Sequence, residues 1–143
     1  MTARVFLAFD YGEKYIGVAV GSRHLRLAEA VTTLRGSAQN PDWERISRLI
    51  AEWKPDAFVV GLPLNMDETP NPMTRAARAF GQRLNDRYNL PVHMVDERLS
   101  TLTARNILNE AGVPMRRHKS KLDRIAAQTI LQAFLNELPK DES

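Results

Sequence analysis

Asp10 closes an apolar run, Arg4-Val5-Phe6-Leu7-Ala8-Phe9-Asp10, and the chain then turns through Gly12 into a second apolar run from Tyr15 to Val20. Asp96 and Glu97 close another short apolar run, Val92-His93-Met94-Val95. Asp123 heads a stripe with Ala127, Ile130 and Phe134, a spacing that lies on one face of a helix. Burying a charge is costly unless it is paired or binds a metal, so an acid at the tip of a buried strand needs a reason. In open α/β sheets ligands gather outside the carboxyl ends of the parallel strands. If the two strands are near-neighbours, these acids converge into a site of hard oxygen ligands, which suits Mg²⁺ or Mn²⁺ rather than zinc. Two such ions can clamp the attacking and leaving oxygens of a phosphodiester. Their charge also offsets the repulsion that would otherwise raise the pKa of a clustered acid. Structural alternatives stand beside this reading. Asp10 can simply open the turn ahead of Gly12, and Ser120 as N-cap would put Asp123 at N3, where a carboxylate favours a helix N-terminus.

The elements that must position these acids follow from the apolar patterning. Strands are expected at about 4–10 and 15–21, joined by Tyr11-Gly12-Glu13-Lys14, with a less regular third over 25–34 (Leu25, Leu27, Ala28, Ala30, Val31, Leu34). Asn40 reads as an N-cap with Pro41 at the first helical position. The helix that follows puts Trp43, Ile46, Leu49, Ile50 and Trp53 on one face, and Pro55 ends it. Both tryptophans read as core rather than as a base-stacking platform. Residues 56–61 form a buried strand, and Leu62-Pro63-Leu64-Asn65 carries the chain over the sheet edge. A helix over 72–88 turns Met73, Ala76, Ala77, Phe80 and Leu84 inward, and Arg75, Arg78, Gln82, Arg83 and Arg87 mostly outward. After the strand at 92–95, Ser100 or Thr101 caps a helix through Glu110, closed by Gly112. Val113 to Lys119 reads as a basic loop, and Ser120 starts a last helix to about Leu138. The order β-β-β-α-β-α-β-α-α predicts an α/β fold with a mixed five-stranded sheet and helices on both faces, the ribonuclease H-like topology.

Length and composition narrow the class. At 143 residues the chain is expected to form one domain over 1–138, with a charged tail at 139–143. The absence of cysteine excludes disulfides and thiolate metal sites and fits a reducing compartment. The chain begins directly with a strand rather than a leader, and no apolar run approaches the ~18 residues of a membrane span. A cytoplasmic protein with no membrane partner is expected. A net charge of +3 and a pI near 9.5 are compatible with a nucleic-acid partner without establishing one.

Taken together, the motifs resemble the YqgF family, also called RuvX, ribonuclease H-fold proteins described as Holliday-junction-resolvase-like and as nucleases of the 5′ end of pre-16S ribosomal RNA. Phe9-Asp10-Tyr11-Gly12 with Ile16-Gly17-Val18-Ala19 carries the resemblance, as do Val59 through Asp67, Asp96 through Thr101, and Lys121-Leu122-Asp123 with Ala126-Ala127 and Ile130-Leu131. The resemblance implies that Asp10, Glu97 and Asp123 are the catalytic acids and hold the metal, Mg²⁺ or Mn²⁺ and two ions of it, with Asp10 between them. It implies cleavage leaving 5′-phosphate and 3′-hydroxyl ends. Asp96 becomes a neighbour orienting Arg98 or the turn, and Asn65 is placed to touch substrate or a metal-bound water. The family usually has glycine where this chain has Glu68, after Met66-Asp67, so the substrate contacts of that loop differ.

Substrate grip is expected from phosphate contacts. Arg116, Arg117, Lys119 and Lys121 precede the helix of Asp123, and Lys14 and Arg98 stand beside the other two acids. The same basic run is also what a solvated loop looks like. His24, His93 and His118 have no ligand spacing. The resemblance favours pre-rRNA, on ribosomal precursor particles, over branched DNA as partner, and leaves monomer or homodimer open. Two other readings compete. The Asp10-Tyr11-Gly12 turn also resembles a phosphate loop of actin-like ATPases and sugar kinases, and a non-catalytic RNA-binding assembly factor would retain the acids for folding.

Overall fold

The computed structural model describes residues 4–12, 14–35, 40–63, 67, 69–96 and 118–139, with 118–124 described by their backbone alone. The elements are β1 (Val5–Tyr11), β2 (Tyr15–Ser22), β3 (Ala28–Arg35), α1 (Trp43–Trp53), β4 (Ala57–Leu62), α2 (Pro72–Tyr88), β5 (Val92–Asp96) and α3 (His118–Glu137). They form one five-stranded sheet in the order β3-β2-β1-β4-β5. The first three strands are an antiparallel meander, and the α1 and α2 crossovers add β4 and β5 parallel to β1. The mixed sheet matches the sequence reading. The helix expected from Ser100 or Thr101 to Glu110 lies outside the described residues.

Strand alternation divides the core in two. Leu7, Phe9 and Tyr11 of β1 face one side, with Val18, Phe58 and Val60, and are covered by Ile46 of α1 and Ala77, Phe80 and Leu84 of α2. Phe6 and Ala8 face the other side, with Ala19, Ala57 and Val59, and are covered by Ala127, Ile130, Leu131 and Leu135 of α3. Burial of each large side chain contributes about 1.5–3 kcal/mol. Both tryptophans of α1 pack against the first cluster, as core residues should. Trp43 stacks on Phe80 at 5.7 Å, and the Arg83 and Arg87 guanidinium groups lie 4.9 Å and 4.4 Å from its ring centre. Those arginines cover apolar surface while their heads remain near water.

Three boundaries differ from expectation. The third strand begins at Ala28, because Arg26 takes a left-handed backbone with φ 54° and makes a turn of residues 23–27. Leu25 and Leu27 therefore point outward, 68% and 64% exposed. The first helix is capped by Asp42, whose carboxylate accepts the Arg45 N–H at 3.2 Å, rather than by Asn40. The last helix begins at His118, so Ser120 lies inside it and Lys119 is helical rather than part of a loop.

The sharp turn at Arg26 ties α3 down. The Arg26 Nη2 donates to the carbonyls of Leu135 (2.8 Å), Asn136 (3.2 Å) and Leu138 (2.9 Å), at and just beyond the C-terminal end of α3. Gln132 accepts the Ala28 N–H and donates to the Arg26 carbonyl, and Gln128 donates to the Ala28 carbonyl. Gly21 allows the close approach: a Cβ there would lie 2.8 Å from the Leu27 carbonyl and 2.9 Å from Leu135 Cδ1. No helix among the described residues is long and apolar enough to cross a membrane.

Candidate active site at the carboxyl edge of the sheet

Asp10 is the half-buried penultimate residue of β1, and alternation puts it on the α3 side with Phe6 and Ala8. Its partner across the antiparallel ladder is Gly17. On the other side Phe9 pairs with Val60, and one further step sets Gly61 beside Asp10. Directly opposed residues share a face, so the carboxylate is flanked on both sides by residues without side chains. Gly12 closes the turn that follows, where an added Cβ would come within 2.6 Å of the Tyr15 carbonyl oxygen.

β5 lies two strands from β1, at roughly 10 Å given the ~4.8 Å strand spacing. Gly61 pairs with Val95 and Leu62 with Asp96. Val95 packs into the α3-side cluster, whereas Val92 belongs to the other side. Asp96 therefore shares the α2 side with Val92 and Met94, on the face opposite Asp10. The next position with the parity of Val95 is Glu97, which lies outside the described residues.

The Arg26 clamp places the C-terminal end of α3 at the edge where β1 begins, so α3 runs back toward Asp10. From Leu135 to Asp123 the helix rise of ~1.5 Å per residue covers ~18 Å. From Val5 to Asp10 the strand rise of ~3.3 Å covers ~17 Å. The backbone of Asp123 thus reaches about the level of Asp10, one helical turn ahead of the buried Ala126 and Ala127. With His118 as its first residue, α3 is not capped by Ser120, and the capping account of Asp123 falls.

Among the expected substrate-binding residues, Lys14 is exposed in the β1–β2 turn, and Lys119 and Lys121 lie in the opening turns of α3. Asn65, Arg98, Arg116 and Arg117 lie outside the described residues. In the loop after β4, Asp67 accepts the Thr69 hydroxyl at 2.5 Å and its N–H at 3.1 Å, and these bonds hold its carboxyl below the usual range. α2 is fixed to the same edge by a capping box between Asn71 and Thr74, with the Thr74 hydroxyl donating to the Pro63 carbonyl. The spacing role of Gly17 and Gly61 escaped the sequence reading, although both glycines fall within its motifs.

Tyr11, beside Asp10 in sequence but on the other face, is 3% exposed against Phe80. Burial raises its hydroxyl pKa above 10.0, and the Arg83 charge draws it partly back. A raised folded value gives stability that is complete below the unfolded pKa and is lost as pH rises through the folded one. Tyr11→Phe is expected to flatten the alkaline loss of stability above pH ~10, read as the urea midpoint against pH. Parallel declines in both proteins would remove Tyr11 as its source.

A family model described as "RuvX: Holliday junction resolvase" matches residues 4–137. The chain is 50% identical over 134 residues to a Nitrosococcus oceani protein named "putative pre-16S rRNA nuclease", covering 94% of this chain and 88% of that one. Proteins of the same name from Neisseria gonorrhoeae and Pseudomonas putida are 47% and 49% identical, over 94% and 92% of this chain and 89% and 94% of theirs. Among solved structures, the fowlpox virus resolvase in complex with Holliday junction DNA aligns with TM-score 0.58 at 12% identity, covering 95% and 99% of the two chains. Thermus thermophilus RuvC with a Holliday junction substrate aligns with TM-score 0.54 at 15% identity, covering 92% and 93%. At such identities the likeness is one of fold, and the fold is ribonuclease H-like.

Proposed function

The chain belongs to the RuvX family, and from that premise we propose that it is a nuclease that hydrolyses phosphodiester bonds in structured nucleic acid, acting on the 5′ end of precursor 16S ribosomal RNA. The observation that carries the reading is Asp10 at the carboxyl edge of β1, held between Gly17 and Gly61 on the face that α3 covers. In this reading Asp10, Glu97 and Asp123 form the catalytic set. The names of the family relatives favour the RNA substrate. Ribosomal precursor particles are the setting in which that RNA would be met, inside the cytoplasm.

The donor set fits Mg²⁺ or Mn²⁺, since carboxylate oxygens are the hard ligands these ions take. When bound, such ions would supply charge stabilisation at the reacting phosphate. The chain itself contributes position. β1 fixes Asp10 by its pairing with Gly17 of β2 and by the Phe9–Val60 pair beside it, and Gly17 and Gly61 leave lateral room for a phosphate oxygen and its hydration. α3 brings the backbone of Asp123 level with it. Lys14, Lys119 and Lys121, with Arg98, Arg116, Arg117 and Asn65, hold the phosphates around the scissile bond.

The test is cleavage of two end-labelled substrates, a precursor 16S 5′ segment and a four-way DNA junction, with Mg²⁺ or Mn²⁺ and with chelator. Metal-dependent cutting of the RNA is expected. Cutting of the junction alone would replace the substrate by branched DNA. Tight RNA binding with no cutting under any metal would make the protein an assembly factor.

A further inference from the structure

On the opposite side of the sheet from Asp10, α2 carries a polar stripe that the nuclease reading does not use. Arg75, Arg78, Gln82 and Asn85 follow one another at i, i+3, i+7 and i+10, and all four are exposed. The stripe borders a groove of about 390 Å³ lined by Arg78, Gly81, Gln82, Asn85, Val92 and Met94. Its floor is apolar because Gly81 lets α2 lie close on β5: a Cβ there would sit 3.3 Å from both Met94 Sδ and Val92 Cγ1. Met94 is 37% exposed, although its strand lies at the sheet edge beside a helix.

The hydrogen-bonding groups around the floor are unevenly committed. The amide nitrogen of Gln82 donates to Asp86 (3.0 Å), and that of Asn85 donates to the Leu90 carbonyl (2.9 Å). Their side-chain oxygens are the acceptors left to a ligand, while Arg78 and Arg75 bring positive charge. Acceptors for an N–H group, an apolar floor and flanking guanidinium groups together match a nucleotide with an amino-bearing base. The volume lies within the range of small-molecule sites. From Arg75 to Asn85 the helix rises ~15 Å, longer than one nucleotide. The stripe begins at the carboxyl edge, where Thr74 is tied to Pro63.

We propose that the groove between α2 and β5 seats an unpaired nucleotide of the substrate RNA, with Arg75 and Arg78 on the adjoining phosphates, the base on Met94 and Val92, and its exocyclic amine on the Gln82 and Asn85 oxygens. The proposal rests on the nuclease reading and adds a second contact to it, on the far side of the sheet edge from the acids. A strand held at both places crosses the edge in one path, which fixes where along it the cut falls.

The test measures anisotropy of labelled single-stranded RNA homopolymers, with Asp10→Asn as the common background so that no strand is cut. Arg75→Glu/Arg78→Glu is expected to weaken binding at least tenfold and to reduce its salt dependence. Arg45→Glu/Arg48→Glu on α1 makes the same charge change away from the groove and is expected to have a far smaller effect. Oligo-U, which lacks an exocyclic amine, is expected to bind more weakly than oligo-A or oligo-C, and Gln82→Ala is expected to erase that difference. Equal effects of the two charge reversals, or a base preference that survives Gln82→Ala, would overturn the groove while leaving the nuclease intact. Failure of the unmutated protein to bind or cut any RNA would overturn both, and is distinguishable because the groove variants then have nothing to lower.

Discussion

Asp10→Asn lowers turnover by more than ~100-fold, since even residues that only orient a metal ligand contribute 10–100-fold, while the variant melts as the parent does. The substitution keeps the shape of the side chain and removes only its charge. Lateral packing on the α3 face is unaffected, because the flanking positions are Gly17 and Gly61 and contribute no side chain. The ladder bonds of β1 involve backbone alone and persist. Residual activity should therefore report chemistry and not unfolding, provided circular dichroism and the melting temperature match the parent. Undiminished cleavage by a folded Asp10→Asn protein would remove Asp10 from the catalytic set and with it the site.

Phe80→Ala produces the opposite pattern, a loss of about 3–5 kcal/mol of stability with no chemistry of its own. Phe80 is 2% exposed and is the ring at which Phe9, Tyr11 and Trp43 meet, at 5.5, 5.0 and 5.7 Å. Truncation leaves a cavity that none of the three can close, because two of them lie in β1 and the third in α1. Arg83 and Arg87 lie over Trp43 and would lose their platform if the indole shifted into the space. Urea denaturation reads the loss directly. A change below ~1 kcal/mol, the scale of an ordinary surface substitution, would mean that the cluster is not the centre of the α1–α2 layer.

What the sequence made legible was the part governed by local patterning. Every residue from Phe6 to Phe9 is buried, and that continuous run identified β1 as a central strand. The inward positions of α2 were readable from spacing, and Ala77, Phe80 and Leu84 occupy them. The start of β3 was not readable, because Leu25 and Leu27 alternate as strand residues do, and nothing in an arginine announces the left-handed turn at Arg26. The run Asn40-Pro41-Asp42 offers two good caps, and only the bond from the Arg45 N–H decides for Asp42. The site followed the same division. Asp10 could be placed at the carboxyl edge from the end of its strand, but the face that Asp96 takes needed the register of β5 on β4. The importance of Gly61 needed the strand order itself, since it is far from Asp10 in sequence, and that of Gly17 needed the register of the first hairpin.

The layer that buries Phe6, Ala8, Ala57 and Val59 is built from Ala127, Ile130, Leu131 and Leu135, in a helix that follows every strand of the sheet in chain order. Domains assemble as the chain emerges during synthesis, N-terminal parts first. The sheet can therefore pair its strands and acquire α1 and α2 while its other face is still bare to water. That interval ends when the last helix swings across and the Arg26 guanidinium grips the carbonyls of Leu135, Asn136 and Leu138. The same helix carries Asp123, so in the proposed site the final acid arrives with the final layer. A growing chain would remain catalytically silent until that helix had emerged and docked on the sheet.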